Sequence, residues 1–599
     1  MNGRWRYLRL LAEVLRQSWR HHPGATAALL TVKAASAGTT PMLALALRAA
    51  IDEIIRGDRA AAVAGAAGAA LVFGLTVYLR DLSRVLDAML VDRIGVLHLR
   101  RDVESRLARL PSLGHLERTD LLDRVTLLRG FGWRLSASLW SAVIALFVGL
   151  RLILLLILLG TAVTPWLLPL VAFAAAPIYF ERRGQRTVFQ AELDTAEAYR
   201  LQRELFNLAT GPAGGKEIRV CGVGGRLAAH QQAAWSAAQA TRYQARVRAA
   251  AGDLAGWALF TAGLGAGLAV VVYRAARGES TVGDLVLAVT VAATLRDALQ
   301  DALSGVSEAM AGRTLADPYL WLRRYAETTA RRGDLPAPAQ VRDGITVEDV
   351  SFSYPGSDRP ALDGVSCLLP AGAVVAVVGE YGSGKSTLVK LLTKFYEPDA
   401  GRIAVDGIDL TDVDTERWRA LSSAAFQDFG RFQIRFRDAV GVGDLPRLHD
   451  DDRVAEAVRA ADAGGFVQRL PDGLDTQLGR AYGGVELSEG QWQKTALARA
   501  SMRTEPVLFV LDEPTASLDA PSEHAIFERY MARARDLARR TGAITVVVSH
   551  RFSTVAGADH ILVLDDGRLV EQGTHDQLLA AGGRYAGLYR IQADAYADA

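Results

Sequence analysis

The octapeptide at residues 379–386 constrains the fold of this chain more than any other feature. It reads GEYGSGKS, a complete G-x-x-x-x-G-K-[ST] phosphate-binding loop, between an apolar run at 374–378 and a helix-compatible stretch at 387–392. Glycines let backbone N–H groups surround phosphate oxygens, and the N-terminus of the following helix favours negative charge. From about Gly344 onward, the pattern predicts an α/β domain in which short strands alternate with helices, as in a doubly wound sheet.

The side chains of this loop have separate expected roles. We expect Lys385 to reach the β and γ phosphates of ATP and the hydroxyl of Ser386 to ligate Mg²⁺. The residues predicted to contact the nucleotide here are Gly379, Glu380, Tyr381, Gly382, Ser383, Gly384, Lys385, Ser386 and Thr387.

A second motif, at residues 507–513, supports the same chemistry. It reads VLFVLDE, an apolar run typical of a buried parallel strand, and it delivers two carboxylates where the strand ends. Asp512 is suited to hold Mg²⁺ through water, and Glu513 is suited to polarise an attacking water as a general base. The two motifs together predict a P-loop NTPase.

The sequence before this domain is strongly apolar. Hydrophobic residues make up 50% of the 599 residues, and they concentrate before about residue 310. Six stretches there are long enough to cross a bilayer, which takes about 20 residues each. The predicted spans lie near 24–49, 60–79, 137–160, 163–180, 250–273 and 281–305. The predicted fold is a membrane-embedded all-α domain of six helices, followed by the α/β P-loop NTPase domain.

The connections between the spans alternate in length and indicate a topology. Segments 50–59, 161–162 and 274–280 are short, whereas 80–136 and 181–249 are long and rich in arginine. Because positive residues favour the cytoplasmic side, the N-terminus, both long connections and the C-terminal domain are predicted to be cytoplasmic. Segment 5–19 reads as an amphipathic helix on the inner leaflet, or alternatively as the first turn of the first span. A cleaved secretory signal is not expected, since the first apolar run is too long.

Net charge and cysteine content argue against several other classes of protein. The net charge of +2 gives no polyelectrolyte signal for nucleic acid. Cys221 and Cys367 form neither a disulfide framework nor a metal-ligand pattern, so we interpret both as unpaired structural thiols.

Residues 487–491 read LSEGQ, which resembles the LSGGQ signature of ATP-binding cassette (ABC) proteins, and the following WQKTALARA continues that pattern. The resemblance implies an adenine-stacking role for Tyr354, although a tyrosine before proline can also be a turn residue. It further implies that Gln427 contacts Mg²⁺ and senses the membrane domain, that Asp519 belongs to the D-loop, and that His550 holds the γ-phosphate.

The order of six spans and one cassette resembles a half-transporter of the bacterial type IV, exporter-fold ABC class. The resemblance covers essentially the whole chain and implies two cytoplasmic coupling helices, matched by residues 116–124 and 215–222. The expected domains are an elbow helix at 1–22, a transmembrane domain at 23–310, a linker at 311–343 and a cassette at 344–592.

The signature departs from the family pattern at its third position, where Glu489 replaces glycine. The residues expected to approach the ATP of a partner cassette are retained: Ser488, Gly490 and Gln491. A carboxylate beside phosphate could weaken binding by repulsion, or its side chain could point away. The sequence leaves both alternatives open.

The resemblance implies a dimer, because the signature of one cassette caps the ATP held by another. The partner is a second copy or a different half-transporter. We expect ATP hydrolysis to drive alternating access, and the favoured function is export of a small molecule, secondary metabolite or peptide. The alternatives are an exporter-fold importer, for example of a metal chelate, and a lipid flippase. A soluble ABC ATPase is disfavoured by the apolar half, and a leader-peptide-cleaving transporter by the lack of a preceding peptidase domain.

Two basic residues fall inside predicted spans, where charge is costly and often functional. They are Lys33 and Arg151, and Arg151 lies near the middle of its span. We expect Arg151 either to face a cavity and favour an anionic or polar cargo, or to form an inter-helix ion pair with Asp253.

Overall fold

The computed structural model describes residues 3–128, 131–163, 170–329, 333–514, 520–550 and 555–597. The chain divides into two compact units. The first, here the helical unit, contains Met1–Glu104 and Leu127–Leu320, and the second, here the cassette unit, contains Ser105–Thr126 and Trp321–Ala599.

Helices, long and short, make up the first part of the chain. They are α1 (Gly3–His21), α2 (Pro23–Arg56), α3 (Arg59–Asp92), α4 (Arg101–Ala108), α5 (Gly114–Glu117), α6 (Thr119–Leu127), α7 (Phe131–Leu158), α8 (Leu170–Asp194), α9 (Ala196–Thr210), α10 (Pro212–Val220), α11 (Gly224–Ala276) and α12 (Val282–Thr329). Short π-helical stretches, Arg93–Arg100 and Leu159–Val163, follow α3 and α7.

Within the described residues, four helical stretches are long and apolar enough to cross a membrane: Pro23–Arg56, Arg59–Ala108, Gly132–Thr161 and Gly224–Ala276. They contain the first, second, third and fifth predicted spans. The fourth predicted span, 163–180, includes residues 164–169, which the structure does not describe, and continues into α8. The sixth lies in α12, where Asp284, Asp297 and Asp301 lower the apolar content of the helix.

Small residues let the apolar helices approach closely. A side-chain carbon at Gly263 of α11 would lie 2.4 Å from the ring of Phe173 in α8. A side-chain carbon at Gly65 of α3 would lie 3.0 Å from Ala50 of α2. Larger residues at these positions would force the paired helices apart.

The predicted elbow helix forms as α1 and presents two apolar faces. Tyr7, Leu10 and Val14 are buried within the helical unit. The hydroxyl of Tyr7 donates to the carbonyl of Ala309 in α12. On the other side Leu8 stays exposed, as does Trp19 near the end of the helix. Residues of the expected membrane-contacting face therefore remain uncovered by protein.

Besides α5 and most of α6, the cassette unit contains strands and shorter helices beyond residue 343. The strands are β1 (Gly344–Phe352), β2 (Leu362–Pro370), β3 (Val374–Val378), β4 (Ala400–Val405), β5 (Ile408–Asp409), β6 (Ser422–Ala425), β7 (Leu508–Asp512), β8 (Ile544–Val548), β9 (His560–Asp565) and β10 (Arg568–Gly573). The helices are α13 (Lys385–Leu392), α14 (Thr415–Ala420), α15 (Phe436–Gly441), α16 (Asp451–Ala460), α17 (Gly464–Val467), α18 (Glu489–Ala500), α19 (Ala520–Thr541), His575–Ala581 and Arg584–Ala597.

Two sheets organise this unit. One is antiparallel with the order β2-β1-β4-β5. The other has the order β10-β9-β3-β8-β7-β6, in which β9, β3, β8, β7 and β6 run parallel. Strands β3, β7 and β8 are buried at every position, as expected for parallel strands covered on both faces. Because their carboxyl ends share one edge of the sheet, the segments that follow them meet there.

Candidate functional site

The phosphate-binding loop joins β3 to α13, as its sequence predicts. Gly379, Gly382 and Gly384 adopt φ values of 150°, 80° and 100°, which residues with a side chain rarely adopt. A side-chain carbon at Gly379 would lie 2.1 Å from the carbonyl oxygen of Leu564, and one at Gly384 would lie 2.6 Å from that of Ala361. Glycine is thus required at both ends of the loop by sterics as well as by backbone conformation.

Lys385 lies across the inside of this loop. Its ammonium donates to the carbonyl oxygens of Gly379 and Glu380, at 2.9 and 2.7 Å. Burial lowers the pKa of Lys385, while the nearby carboxylates Glu513 and Asp512 act in the opposite direction. The loop therefore encloses a cation, which is what a site for phosphate requires.

Asp512, the last residue of β7, fits the role of a Mg²⁺ ligand. The residue is 6% exposed, and its buried Oδ1 has no hydrogen-bond partner. The hydroxyl of Ser386 hydrogen-bonds to the same carboxyl group. Burial, together with Glu513 and Asp428, raises the pKa of Asp512 to about 6, against the lowering effect of Lys385 and Ser386. An unpartnered buried carboxylate oxygen beside a hydroxyl is a donor set suited to a hard divalent cation.

The three predicted catalytic side chains meet at Glu513. The amide of Gln427 donates to Oε2 of Glu513 at 2.8 Å, and Nδ1 of His550 lies 3.2 Å from Oε1. Gln427 follows β6, Glu513 follows β7 and His550 follows β8, so three neighbouring strands bring them together. Glu513 is buried and has φ of 47°, a left-handed conformation that is costly for a side chain with a Cβ.

This strained backbone is held in place from both sides. The amide N–H of Glu513 donates to the carbonyl of Val548 at 2.9 Å, and the side-chain amide of Gln493 donates to the carbonyl of Glu513 at 3.3 Å. Gln493 belongs to α18, so the signature helix also fixes the backbone of the expected base. This contact was not foreseen from the sequence.

Tyr354 follows β1 and lies beside the helix that opens at the phosphate-binding loop. Its hydroxyl is 3.1 Å from that of Thr387, and its ring packs edge-on against Tyr396. The ammonium of Lys390 lies 5.0 Å from the centre of the same ring. Its place beside α13 is compatible with the predicted adenine contact, which stays a prediction.

Glu117, in the first predicted coupling segment, contacts this group of side chains. Its Oε1 accepts from Lys390 at 3.0 Å, and its other carboxylate oxygen accepts from the hydroxyl of Tyr396. Burial lowers the pKa of Lys390, but Glu117 and Tyr354 outweigh this effect, so the pKa is raised. A chain of contacts therefore runs from Glu117 through Lys390 to Tyr354. No local sequence pattern could have revealed it, because Glu117 and Lys390 are 273 residues apart.

The signature begins helix α18 with a capping box. Ser488 is the N-cap, its hydroxyl accepts from the backbone N–H of Gln491, and the side chain of Gln491 accepts from the N–H of Ser488. Both carboxylate oxygens of Glu489 accept from the guanidinium of Arg431, at 2.8 and 2.6 Å. The carboxylate that departs from the family pattern is thus paired within its own chain.

Three other residues of the phosphate-binding loop, also predicted to contact the nucleotide, differ in their environment. Glu380 pairs with Arg584 at 3.1 Å, Tyr381 is 84% exposed, and Ser383 is buried beneath Lys385. Asp519 lies outside the described residues.

A charged cavity of about 430 Å³ lies among α2, α3, α7 and α12 of the helical unit. Arg151 and Lys33 both line it, as do the carboxylates Asp297, Asp301 and Glu308. Arg151 pairs with Asp301 at 3.2 Å, so the expected pairing with Asp253 is wrong. Asp253 is on α11 and lines a different cavity. Arg151 therefore lines a cavity and also forms an inter-helix ion pair, while its expected preference for an anionic or polar cargo stays a prediction.

Part of the chain matches a known protein family. Residues 362–516 match the family described as ABC transporter. The sequence is 39% identical over 327 residues to the ATP-dependent lipid A-core flippase of Aromatoleum aromaticum, covering 54% of this chain and 52% of that protein. It is 43% identical over 256 residues to the protein of the same name from Photobacterium profundum, covering 42% of each. This chain thus spans about half the length of the curated relatives it matches.

A solved structure resembles almost the whole chain. It is described as a bacterial Atm1-family ABC exporter with ATP bound, and it matches with a TM-score of 0.77 and 27% identity, over 97% of this chain and 100% of that one. The predicted fold, apolar helices followed by an α/β cassette, is confirmed. Residues 362–516 therefore match the ABC transporter family, and the chain as a whole resembles a half-transporter of the bacterial exporter-fold class.

Proposed function

We propose that this chain is one half of an ATP-driven membrane transporter whose cargo is an amphiphile with a charged headgroup. The convergence of Gln427 and His550 on the buried Glu513 carries the ATPase part of the proposal. The charged cavity among the apolar helices supports the cargo part.

The phosphate-binding loop is the proposed nucleotide site, with Lys385 neutralising phosphate charge and Tyr354 contacting adenine. Ser386, Asp512 and Gln427 would hold Mg²⁺, which supplies charge neutralisation at the phosphates when bound. Lys385 now donates to loop carbonyls, and the same N–H groups can be redirected to a phosphate.

Glu513 is the proposed general base. Its carboxylate accepts the proton of the attacking water, while Gln427 and His550 fix the orientation of that carboxylate through its two oxygens. The left-handed conformation at Glu513 breaks the extended course of β7. Its carboxylate lies beside Gln427 and His550. The base is thereby placed before nucleotide arrives, which lowers the cost of ordering it during turnover.

The proposed partner is a second half-transporter, either another copy or a related chain. The phosphate-binding loop and the signature both occur once in this chain, and in the family each cassette supplies the signature that caps the other's ATP. We propose that Ser488, Gly490 and Gln491 act in this way, with Asp519 at the same interface. Closure of two cassettes would then switch the helical units between two states.

The cavity favours a charged headgroup over an apolar cargo. Four basic residues and three carboxylates line it, so it can pair with groups of either sign. The names of the curated relatives, ATP-dependent lipid A-core flippases, support a lipid cargo over the small molecule, secondary metabolite or peptide favoured by sequence analysis. We place the chain in a bacterial plasma membrane, with the N-terminus and cassette cytoplasmic and transport directed outward.

The test uses the full chain reconstituted into liposomes. ATP hydrolysis and movement of a fluorescent lipid between leaflets are measured with two lipids, one with a charged saccharide headgroup and one with a neutral headgroup on the same acyl chains. The Glu513→Gln chain is the matched control, because it keeps the size of the side chain and one acceptor oxygen but cannot act as base.

We expect the charged lipid to raise ATP hydrolysis and to change leaflet only with the parent chain. Undiminished hydrolysis by Glu513→Gln would refute the assignment of the base. Uptake of a water-soluble compound into inside-out vesicles, without any effect of either lipid, would refute the lipid cargo and favour a small-molecule exporter.

A further inference from the structure

The pair formed by Arg431 and Glu489 connects two functional segments of the cassette unit. Arg431 lies four residues after Gln427, and Glu489 is the first residue of α18, directly after Ser488. One guanidinium nitrogen of Arg431 reaches both oxygens of Glu489, at 2.8 and 2.6 Å. The segment that contributes to the Glu513 site therefore also contacts the start of the signature helix.

Arg499, near the other end of α18, anchors the same segment. Its guanidinium donates to the carbonyl of Gly430 at 3.1 Å and stacks on the ring of Phe432 at 4.4 Å. Residues 430–432 are thus held along α18 at two points. The position of Arg431 beside Glu489 is fixed by this anchoring and does not depend on the ion pair alone.

The ion pair is poorly placed to serve stability. Both side chains are 51% exposed, and exposed ion pairs contribute little to the free energy of unfolding because water and salt screen them. A carboxylate in the first turn of α18 is already favourable to the helix without a cationic partner. A role in folding therefore does not account for Arg431.

A role in electrostatics does account for it. Glu489 puts a negative charge beside Ser488 and Gly490, the residues proposed to meet the triphosphate of the partner's ATP. An unpaired carboxylate there would repel that triphosphate, and the cost would fall on nucleotide binding and cassette closure. Arg431 cancels this charge at hydrogen-bonding distance.

We propose that Arg431 is a positioning residue that makes a glutamate-containing signature competent to receive the partner's ATP. It offsets the charge of Glu489 and holds that side chain away from the phosphates. The proposal rests on the proposed function, because it concerns ATP bound between two cassettes.

The experiment compares four full-length chains in the Glu513→Gln background, where bound ATP is not consumed: the parent, Arg431→Gln, Glu489→Gln and the double variant. ATP-dependent closure is followed by the distance between spin labels on the two cassettes, as a function of ATP concentration. Arg402→Gln is the matched control, since Arg402 makes a similarly exposed ion pair with Glu348 on the β1–β4 pair.

We expect Arg431→Gln to raise the ATP concentration needed for closure by about tenfold, a result of the unpaired charge on Glu489. The double variant should return to within about twofold of the parent, because the repelling charge is gone as well. Higher salt should reduce the defect of Arg431→Gln by screening. Tm should stay nearly the same in all four chains, which distinguishes this role from a structural one.

A defect of Arg431→Gln that persists in the double variant would overturn the inference, as would closure unaffected by Arg431→Gln. A comparable defect in Arg402→Gln would also overturn it. Failure of the parent Glu513→Gln chain to close with ATP would instead refute the proposed function itself, and the inference with it.

Discussion

Replacement of Asp512 by asparagine should make the stability of the cassette unit less dependent on pH. Asp512 is 6% exposed, with an unpartnered carboxylate oxygen. Burial raises its pKa from the ordinary 3.8 to about 6, and the charges of Glu513 and Asp428 act in the same direction. Asparagine has almost the same shape and no charge, so the variant isolates the cost of ionising this one side chain.

The sign of the effect follows from proton affinity. The folded chain holds the proton of Asp512 more tightly than the unfolded chain does, because its pKa is higher in the folded state. The contribution of this group to the free energy of unfolding is therefore greatest below about pH 4 and is lost as the pH rises to about 6. The difference between 3.8 and about 6 corresponds to about 3 kcal/mol, at about 1.4 kcal/mol per pKa unit.

The assay is thermal unfolding of the parent and Asp512→Asn chains in chelator, from about pH 4.5 to about pH 7.5. Near neutral pH the variant should be more stable by up to about 3 kcal/mol, equivalent to a Tm higher by several degrees. This advantage should shrink towards the acid end. Added Mg²⁺ and nucleotide should stabilise the parent strongly near neutral pH and the variant weakly, since the variant lacks the proposed ligand charge.

Other carboxylates also titrate in this range, so only the difference between two chains is informative. Asp358→Asn, at an exposed position, serves as the control and should track the parent at every pH. A constant difference between Asp512→Asn and the parent across the pH range would refute the reasoning. A lower stability of Asp512→Asn near neutral pH would refute it as well, because burial of the charge would then not be the dominant cost.

Three further predictions address the nucleotide and cavity sites. Lys385→Ala should abolish ATP binding measured by calorimetry, because the loop loses its cation; unchanged affinity would contradict the loop assignment. Tyr354→Ala should weaken ATP binding by about tenfold or more through lost stacking, whereas Tyr354→Phe should bind nearly as the parent; equal losses in both would point to the hydroxyl. Arg151→Met leaves Asp301 unpaired and should lower cargo-stimulated ATP hydrolysis, measured in liposomes. Asp301→Asn in the same chain should not restore that stimulation if Arg151 contacts cargo, but should restore it if the pair is only structural.

Short motifs predicted the nucleotide site because their chemistry is local. Each of the two motifs, at 379–386 and at 507–513, places polar residues at the end of a buried strand. The structure places both strands in one parallel sheet, so Lys385, Asp512 and Glu513 come close together. Strand order then explains why Gln427 and His550 reach Glu513 from either side. These positions follow from strand order and do not depend on details of side-chain packing.

Contacts between distant segments escaped sequence analysis for a physical reason. The ion pair that Arg151 forms depends on which helix packs beside α7, and helix packing is not encoded in the charge of one residue. The partner proved to be Asp301 on α12, 150 residues away. Asp301 also lowers the apolar content of the sixth predicted span. Its pairing with Arg151 supplies a reason for charge at this position in an apolar region.

Glu117 illustrates the same limit in the cassette unit. Its segment resembles a coupling helix, but nothing in the local pattern indicates that its carboxylate binds Lys390 and Tyr396. The contact matters because Lys390 also lies over the ring of Tyr354, the proposed adenine contact. The predicted coupling segment and the proposed adenine contact thus share one lysine, which is a physical route by which nucleotide could affect that segment.

Glu489 shows how a departure from a family motif should be judged. From the motif alone, a carboxylate at the third signature position could either weaken ATP binding by repulsion or point away and leave the site intact. The decisive residue, Arg431, lies 58 positions earlier and belongs to no motif. If its charge offsets that of Glu489, the site depends on the pair. Loss of the Arg431 charge alone should then impair closure more than loss of both charges, because only the first change leaves the carboxylate of Glu489 unpaired. The double variant tests this property directly, since two independent substitutions would add whereas a compensating pair would cancel.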